Sequence, residues 1–84
     1  MGGACRMSEA SVIDASLDYG CYTRVAAASL EECQSLCSLD LSCKAIEVNP
    51  AGDHCELWSC LPTMTSGTSN YYCYFRETGN SFFQ

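Results

Sequence analysis

The sequence has little positive charge and no long apolar run. Lys and Arg account for four of its 84 residues, against ten Asp and Glu, and the formal net charge is −6. A negative field of this size repels phosphate backbones and anionic membrane surfaces, so we expect no nucleic-acid partner. No apolar run approaches the roughly 18 residues that a membrane-spanning helix needs, so we expect no direct membrane span.

The N-terminal residues lack the features of a targeting signal. Residues 1–6 have neither the basic region nor the apolar stretch of a signal peptide, and Arg6 stands where a myristoylation motif needs Ser or Thr. The cysteine content described below indicates an oxidising compartment. We therefore expect the chain to be a processed or excised piece, or to lack its targeting signal.

Groups that carry catalysis or bind metals are also scarce. The single histidine, His54, follows a turn and precedes Cys55, and we interpret it as a surface strand residue. No Ser-His-Asp or Cys-His arrangement is indicated. No D-x-[DN]-x-[DN]-G calcium loop surrounds the scattered acidic residues, which include Glu47 and Glu56. We expect no catalytic residue, no metal site and no cofactor, and we expect that the protein is not an enzyme.

Cysteine, in contrast, is abundant, with eight residues in the chain. A domain of this length buries only about 60% of its unfolded surface, so its apolar core alone is marginal. An even number of cysteines in a short chain indicates disulfides. A zinc site is less favoured, because Cys33/Cys37 is the only C-x3-C unit, His54 is the only histidine, and a site of four thiolates would leave four cysteines unexplained. We expect an extracellular or secretory-pathway location, or alternatively an oxidising organelle lumen such as the thylakoid lumen.

The clearest predicted element is a helix over residues 30–38. Ser29 is a favourable N-cap, and Glu32 three residues later completes a capping box. Cys33 and Cys37 are one helical turn apart and lie on the same face as Leu30. Such a short helix needs support from that face, and the two cysteines are placed to attach it to a sheet.

Strands are predicted on both sides of this helix. Residues 43–48 and 54–59 form a hairpin around the Pro- and Gly-containing turn at 49–53, and Tyr71–Phe75 is an aromatic strand. Short strands are also possible at Val12-Ile13 and over residues 19–25, whereas 61–70 is a polar loop. The predicted fold class is α+β, with one short helix packed on a small, mostly antiparallel sheet. We expect one domain over residues 1–76 and a C-terminal tail over 77–84.

These elements resemble the PAN/apple domain family. Ser29–Val48 (SLEECQSLCSLDLSCKAIEV) is similar to the helix-to-strand signature of that family, Cys55–Trp58 to its return strand, and Cys73–Arg76 to a closing strand. The resemblance runs from about residue 4 to residue 76 and is strongest over 29–58. The sequence departs from the family in having two cysteines more than is usual.

The resemblance implies a core disulfide pairing of Cys33–Cys55 and Cys37–Cys43. The chain-entropy contribution of loops of these lengths is roughly 3.4 and 2.4 kcal/mol. Each value is comparable to the whole stability of a small domain. The bridges therefore account for these cysteines without any catalytic role.

The other four cysteines allow three connectivities. The family often joins its first strand to its last, which implies Cys5–Cys73 and leaves Cys21–Cys60 as the additional bridge. Sequence reasoning by itself keeps all three connectivities open.

Three aromatic residues are candidate ligand or partner contacts. Alternation along residues 54–59 places Trp58 on the face opposite Leu57, where it is either exposed for a sugar or protein contact or packed beneath a neighbouring segment. Tyr72 and Tyr74 share one face of the aromatic strand, and one of the two faces of this strand is expected to be exposed.

The family resemblance implies a non-catalytic extracellular or lumenal module that binds protein or carbohydrate. An alternative is a structural or accessory subunit of a larger assembly, such as a fibre, a coat or a membrane complex. The least favoured hypothesis is a small redox enzyme with a free thiol pair. The expected partners are therefore a protein or a glycan, or other subunits of an assembly.

Overall fold

The computed structural model describes residues 3–49 and 54–84. Its elements within these residues are, in chain order, β1 (Cys5–Arg6), α1 (Glu9–Ile13), a 3-10 turn (Ala15–Asp18), β2 (Tyr22–Ala26), α2 (Leu30–Leu39), β3 (Ala45–Asn49), β4 (His54–Trp58), β5 (Met64–Thr65), β6 (Tyr72–Thr78) and β7 (Ser81–Phe83). No helix in the described part of the chain is long and apolar enough to cross a membrane.

The strands form one main sheet and one small ribbon. The main sheet has the order β2-β4-β3-β6-β7, and β1 pairs with β5 in a separate two-stranded ribbon. Every neighbouring pair is antiparallel. The predicted α+β class, with one main helix on an antiparallel sheet and four disulfides, is therefore confirmed.

The main helix, α2, begins where the sequence predicts. The Ser29 hydroxyl accepts a hydrogen bond from the Glu32 backbone N–H at 3.1 Å, which satisfies one of the free donors of the first turn. The Glu32 carboxylate accepts from the backbone N–H of Ala28 at 3.1 Å, one residue before the N-cap. Glu31 and Glu32 also place negative charge at the positive end of the helix dipole.

The helix packs on one face of the sheet through its two cysteines. Cys33 is bonded to Cys55 on β4, and Cys37 to Cys43 just before β3. These bridges are surrounded by a buried cluster to which β3 contributes Ile46 and Val48. Attachment to both hairpin strands explains how a ten-residue helix remains ordered when so little apolar surface covers it.

The opposite face of the sheet is covered by the N-terminal segment. Cys5 on β1 is bonded to Cys73 on β6, and Cys21 is bonded to Cys60. Cys5, Cys73, Ala45 and Trp58 form a second buried cluster on this side. All eight cysteines are paired, in the same four pairs that the family resemblance implies.

Three segments differ from the sequence-based expectations or fall outside the described residues. Val12-Ile13 lies at the end of helix α1 instead of a strand, because Ser8 caps this helix and Ser11 returns the capping bond. The predicted turn at 49–53 lies mostly in residues 50–53, outside the described part. The segment 77–84, expected to be a tail without a pattern, contributes the last two residues of β6 and all of β7.

Arg76 on β6 joins the C-terminal end of α2 to the sheet. Its guanidinium donates five hydrogen bonds, of 3.0–3.2 Å, to backbone carbonyls. The acceptors are the carbonyl oxygens of Cys37, Ser38, Asp40, Cys43 and Gly79. The last carbonyls of a helix lack partners within the helix, so one side chain satisfies several of them and places positive charge at the negative end of the dipole.

We expect the substitution Arg76→Met to lower the free energy of unfolding by about 2 kcal/mol, because it leaves several helix-end carbonyls without a charged donor. Denaturant unfolding under non-reducing conditions measures this loss. Lys44→Met, which removes a positive charge from an exposed side chain, is the matched control and should change stability by less than about 0.5 kcal/mol. Equal effects of the two substitutions would contradict the capping role.

Candidate functional site

A cavity of about 310 Å³ opens on the sheet face opposite α2. Its polar and aromatic lining residues are Arg6, Tyr22, Glu47, His54, Glu56, Thr68 and Tyr71. The volume is at the lower end of the range for small-molecule sites, which run from about 300 to 1,000 Å³. We refer to this cavity as the sheet pocket.

The strand register brings the pocket's titratable side chains together. Glu47 on β3 is directly opposite Glu56 on β4, and His54 on β4 is opposite Asn49. Because side chains alternate along a strand, His54 and Glu56 point away from the helix that Cys55 holds. Glu47 points the same way as its cross-strand neighbour, so two carboxylates and one imidazole meet on one face.

Glu47 is the central acceptor of the pocket and is buried. Its Oε1 atom accepts a hydrogen bond from the backbone N–H of Cys5 at 2.8 Å and lies 3.4 Å from Nη1 of Arg6. Its Oε2 atom lies 2.9 Å from Nε2 of His54. The N-terminal strand therefore holds one oxygen of this carboxylate and leaves the other facing the imidazole.

Glu56 is held in the same manner from the other side of His54. Its Oε1 atom accepts a hydrogen bond from Nε1 of Trp58 at 3.2 Å, and its Oε2 atom lies 3.2 Å from the same His54 Nε2. Burial, and after it the negative charge of Glu47, raise the pKa of Glu56 from 4.5 to about 8. The raised pKa favours the protonated form of this carboxyl group near neutral pH.

Arg6 supplies the positive charge on the N-terminal wall of the pocket. Besides its contact with Glu47, its Nη1 atom donates to the carbonyl of Cys5 at 2.6 Å. Its Nε atom is buried and has no hydrogen-bond partner within the described residues. This N–H is the donor that a ligand oxygen or a water molecule would satisfy.

Two tyrosine rings form the aromatic walls. Tyr22 stacks on Trp58 with ring centroids 4.9 Å apart, and burial with the nearby charge of Glu56 raises the pKa of its hydroxyl. Tyr71 places its ring edge-on to His54 at 5.2 Å. The pocket thus combines hydrogen-bond acceptors, one cation and flat apolar surfaces, which is typical of sites that orient a polar ligand.

The arrangement of the two carboxylates favours binding over glycoside hydrolysis. A glycosidase places its two carboxyl groups on either side of the scissile bond. Here Glu47 and Glu56 contact the same imidazole nitrogen, at 2.9 and 3.2 Å, so both lie on one side of any ligand in the pocket. The two groups can accept hydrogen bonds or hold a cation, but they do not flank a bond.

The structure selects the packed alternative for Trp58, against its role as a candidate contact, and overturns the interpretation of His54. Trp58 is 0% exposed and packs beneath the N-terminal segment, so it is not a direct ligand contact; its indole instead orients Glu56. His54, interpreted as a surface residue, has a side chain that is only 12% exposed and faces two carboxylates. Both corrections have one cause, because the N-terminal segment covers the face that alternation along β4 would leave open.

The aromatic candidates Tyr72 and Tyr74 lie on the other side of the sheet. Both are half-buried and pack against the helix-side cluster together with Phe82 of β7. They are separated by the sheet from the sheet pocket. Whether they contact a ligand remains a separate prediction.

Part of the signal for the pocket is present in the sequence. The hairpin and the alternation along its return strand were both predicted, but the predicted loop at 49–53 would place Glu47 opposite Cys55, whereas the structure pairs Glu47 with Glu56. Two acidic residues opposite each other on a sheet repel, and this repulsion marks a position that needs a counter-charge. The contribution of Arg6 leaves no such signal, since it comes from a distant segment.

Comparison with known proteins gives one match. The family model described as PAN domain matches residues 5–79, which is most of the chain. No curated protein and no solved structure matches it.

The raised pKa of Glu56 predicts that stability falls as the pH rises. The folded state binds this proton more tightly than the unfolded state, whose pKa is near 4.5. The free energy of unfolding should therefore decrease from about pH 4.5 and level off above about pH 8. Glu56→Gln keeps an acceptor for Trp58 without the charge and should melt at least about 4 °C higher than the parent at pH 9.

Thermal unfolding between about pH 5 and pH 9, in buffer that contains EDTA, measures this effect. Glu31→Gln is the control, because it removes one negative charge from an exposed helix position. Parallel pH profiles for the parent and Glu56→Gln would show that Glu56 is not the titrating group.

Proposed function

The chain belongs to the PAN domain family, which consists of non-catalytic modules for protein and carbohydrate interaction, and on this premise we propose that it binds a neutral or basic ligand in the sheet pocket. The ligand is a glycan or a protein side chain presented outside the cell or in an oxidising lumen. One observation carries the proposal: acceptors, a cation and aromatic rings converge in a cavity of about 310 Å³.

The chemistry of the pocket supports a ligand with hydroxyl or amino groups. Glu47 and Glu56 present carboxyl oxygens as acceptors, and Arg6 has a buried N–H without a partner in the described residues. The rings of Tyr22 and Tyr71 offer apolar faces for a sugar ring or an alkyl stem. Each part of such an amphipathic ligand meets a matching surface.

The charge of the chain supports ligands that are not anionic. The formal net charge is −6, and Glu47 is one of the acidic residues that line the pocket. Sulfated or phosphorylated ligands would approach against this field, whereas neutral and basic ligands would not. The negative charge therefore selects among the ligand classes known for the family.

The disulfides support a location in an oxidising compartment. Four bridges join all eight cysteines, and such a density is typical of small secreted domains. The extracellular space and the secretory pathway fit this requirement best, with an oxidising organelle lumen as the alternative.

Binding arrays test the proposed ligand class. The full chain is applied to an array of neutral, amino and sulfated glycans, and to an array of basic, neutral and acidic peptides. We expect signal on neutral or amino glycans or on basic peptides. Tyr71→Ala should weaken this binding by at least about fivefold, since stacking of a flat ligand group on one aromatic ring contributes about 1 kcal/mol or more.

Two matched tyrosine variants serve as controls. Tyr19→Ala removes an exposed ring that does not itself line the pocket and meets Tyr22 edge-on at 6.1 Å, and it should weaken binding much less than Tyr71→Ala. Tyr74→Ala removes a ring on the helix side of the sheet, so a loss confined to this variant would move the contact to Tyr72 and Tyr74. Signal only on sulfated glycans or acidic peptides, or no signal on either array, would overturn the proposal.

A second candidate function is that of a subunit in a larger assembly. Several large apolar side chains are exposed, including Leu39 at the end of α2 (84%) and Leu41 (94%). If a partner subunit covered these two leucines, their apolar surface would be removed from water. They belong to the helix side of the fold, so an assembly contact there leaves the sheet pocket accessible.

The native mass of the protein tests this second function. Isolated from its source without denaturant, a subunit would sediment with a mass well above that of its own polypeptide. The variant Leu41→Ser, expressed in the same source, should sediment with a native mass closer to that of the single polypeptide. Lys44→Ser, which changes an exposed neighbour, should keep the native mass of the parent. A native protein that sediments as a free monomer would contradict the subunit role.

A further inference from the structure

We propose that Glu47, His54 and Glu56 form a binding site for one divalent cation of the Zn²⁺ class at the floor of the sheet pocket. The inference goes beyond the proposed function, because it concerns a metal ion and needs no glycan or protein ligand. It also departs from the expectation of no metal site that the sequence supports.

The spacing of the three side chains fits a metal centre. The potential ligand atoms of Glu47, His54 and Glu56 all lie within 4.8 Å of one another. Nε2 of His54 is 2.9 Å from Oε2 of Glu47 and 3.2 Å from Oε2 of Glu56. In a tetrahedral zinc site with bonds of about 2.0 Å, neighbouring ligand atoms are about 3.3 Å apart. Both distances from His54 are close to this separation.

The surrounding groups hold each carboxylate in the orientation that a ligand needs. Oε1 of Glu47 accepts from the Cys5 backbone N–H, and Oε1 of Glu56 accepts from the indole of Trp58. In each case the second oxygen, Oε2, is the one that faces His54. Metal sites in proteins use outer hydrogen bonds of this kind to orient their ligands.

Hydrogen-bond counting also indicates a positively charged occupant. A neutral imidazole with hydrogen on Nε2 offers one donor, whereas two buried carboxylate oxygens lie within 3.2 Å of that atom. Nη1 of Arg6 is 3.4 Å from Oε1 of Glu47, the oxygen that does not face His54. Arg6 supplies one positive charge, whereas the two glutamates can carry two negative charges. A proton on a carboxyl group or on the imidazole, or a bound cation, must compensate the remaining charge.

A metal ion would bind both carboxylates in their ionised form together with the neutral imidazole, so its binding would release any proton that these three groups hold. The open side of the pocket provides space for a water molecule or a ligand atom as the fourth ligand.

The ligand set favours zinc-like ions over calcium or magnesium. Imidazole nitrogen is a good ligand for Zn²⁺ and Co²⁺, whereas Ca²⁺ and Mg²⁺ prefer sites built from oxygen atoms alone. Cysteine does not compete for the ion, because all eight thiols are in disulfides. The three side chains are thus the strongest combination of nitrogen and carboxylate ligands in the described residues.

Direct metal titration tests the proposal. The full chain, without glycan or peptide, is titrated with Zn²⁺ by calorimetry near pH 7, and with Ca²⁺ and Mg²⁺ in parallel. We expect one Zn²⁺ per chain, binding at least about 100-fold tighter than Ca²⁺ or Mg²⁺. His54→Gln and Glu47→Gln should each weaken Zn²⁺ binding by at least about tenfold, since even outer-shell changes cost 10- to 100-fold. Glu31→Gln is the control and should bind like the parent.

A spectroscopic readout keeps the test independent of how the variants fold. Trp58, the single tryptophan, donates to Glu56 at 3.2 Å, so Co²⁺ in the site should quench its fluorescence, and EDTA should restore it. Zn²⁺ affinity equal to that of Ca²⁺, binding unchanged in His54→Gln, or Co²⁺ binding without quenching would overturn the metal site. Array binding that persists in EDTA would leave the proposed ligand function intact, which separates the two outcomes.

Discussion

The attachment of α2 to the β3–β4 hairpin by two disulfides is the constraint on which the rest of the structure depends. A chain of 84 residues has only a marginal apolar core, and a ten-residue helix is not stable in isolation. Cys33–Cys55 and Cys37–Cys43 reduce the conformational freedom of the unfolded chain and place the helix on one face of the sheet. Arg76 then closes the end of the same helix through the backbone carbonyls that it binds.

Once the helix occupies one face, strand alternation assigns polar residues to the other. Cys55 points to the helix, so His54 and Glu56 point away from it, and the hairpin register adds Glu47 beside them. A polar face of this kind would normally be solvated. Here the bridge from Cys5 to Cys73 brings the N-terminal segment across it, and burial raises the pKa of Glu56. The stabilising cross-links and the sheet pocket are therefore parts of one arrangement, in which one face is packed and the other is polar and partly enclosed.

Much of the architecture could be predicted, because its signals are local. The cap at Ser29, the cysteine spacing along α2 and the two hairpin strands all act over a few residues, and each is close to its predicted place. Predictions failed where distant segments meet. Trp58 was a candidate contact but lies beneath the N-terminal segment, and His54 was interpreted as a surface residue but faces two carboxylates. The edge strand β7 was also missed, because three residues pairing with β6 carry too weak a pattern to be recognised.

The sequence by itself determined the fold class, the helix, the hairpin and, through its family resemblance, the cross-linked framework. These properties follow from cysteine spacing, helix capping and strand alternation, which involve residues that are near one another in the sequence. The tertiary structure alone decided which polar residues are buried and which oxygen of each carboxylate faces His54. The physical reason is that burial and charge depend on what covers a residue. For this sheet the cover comes from β1, which lies more than forty residues before Glu47 in the sequence and only one hydrogen bond from it in space.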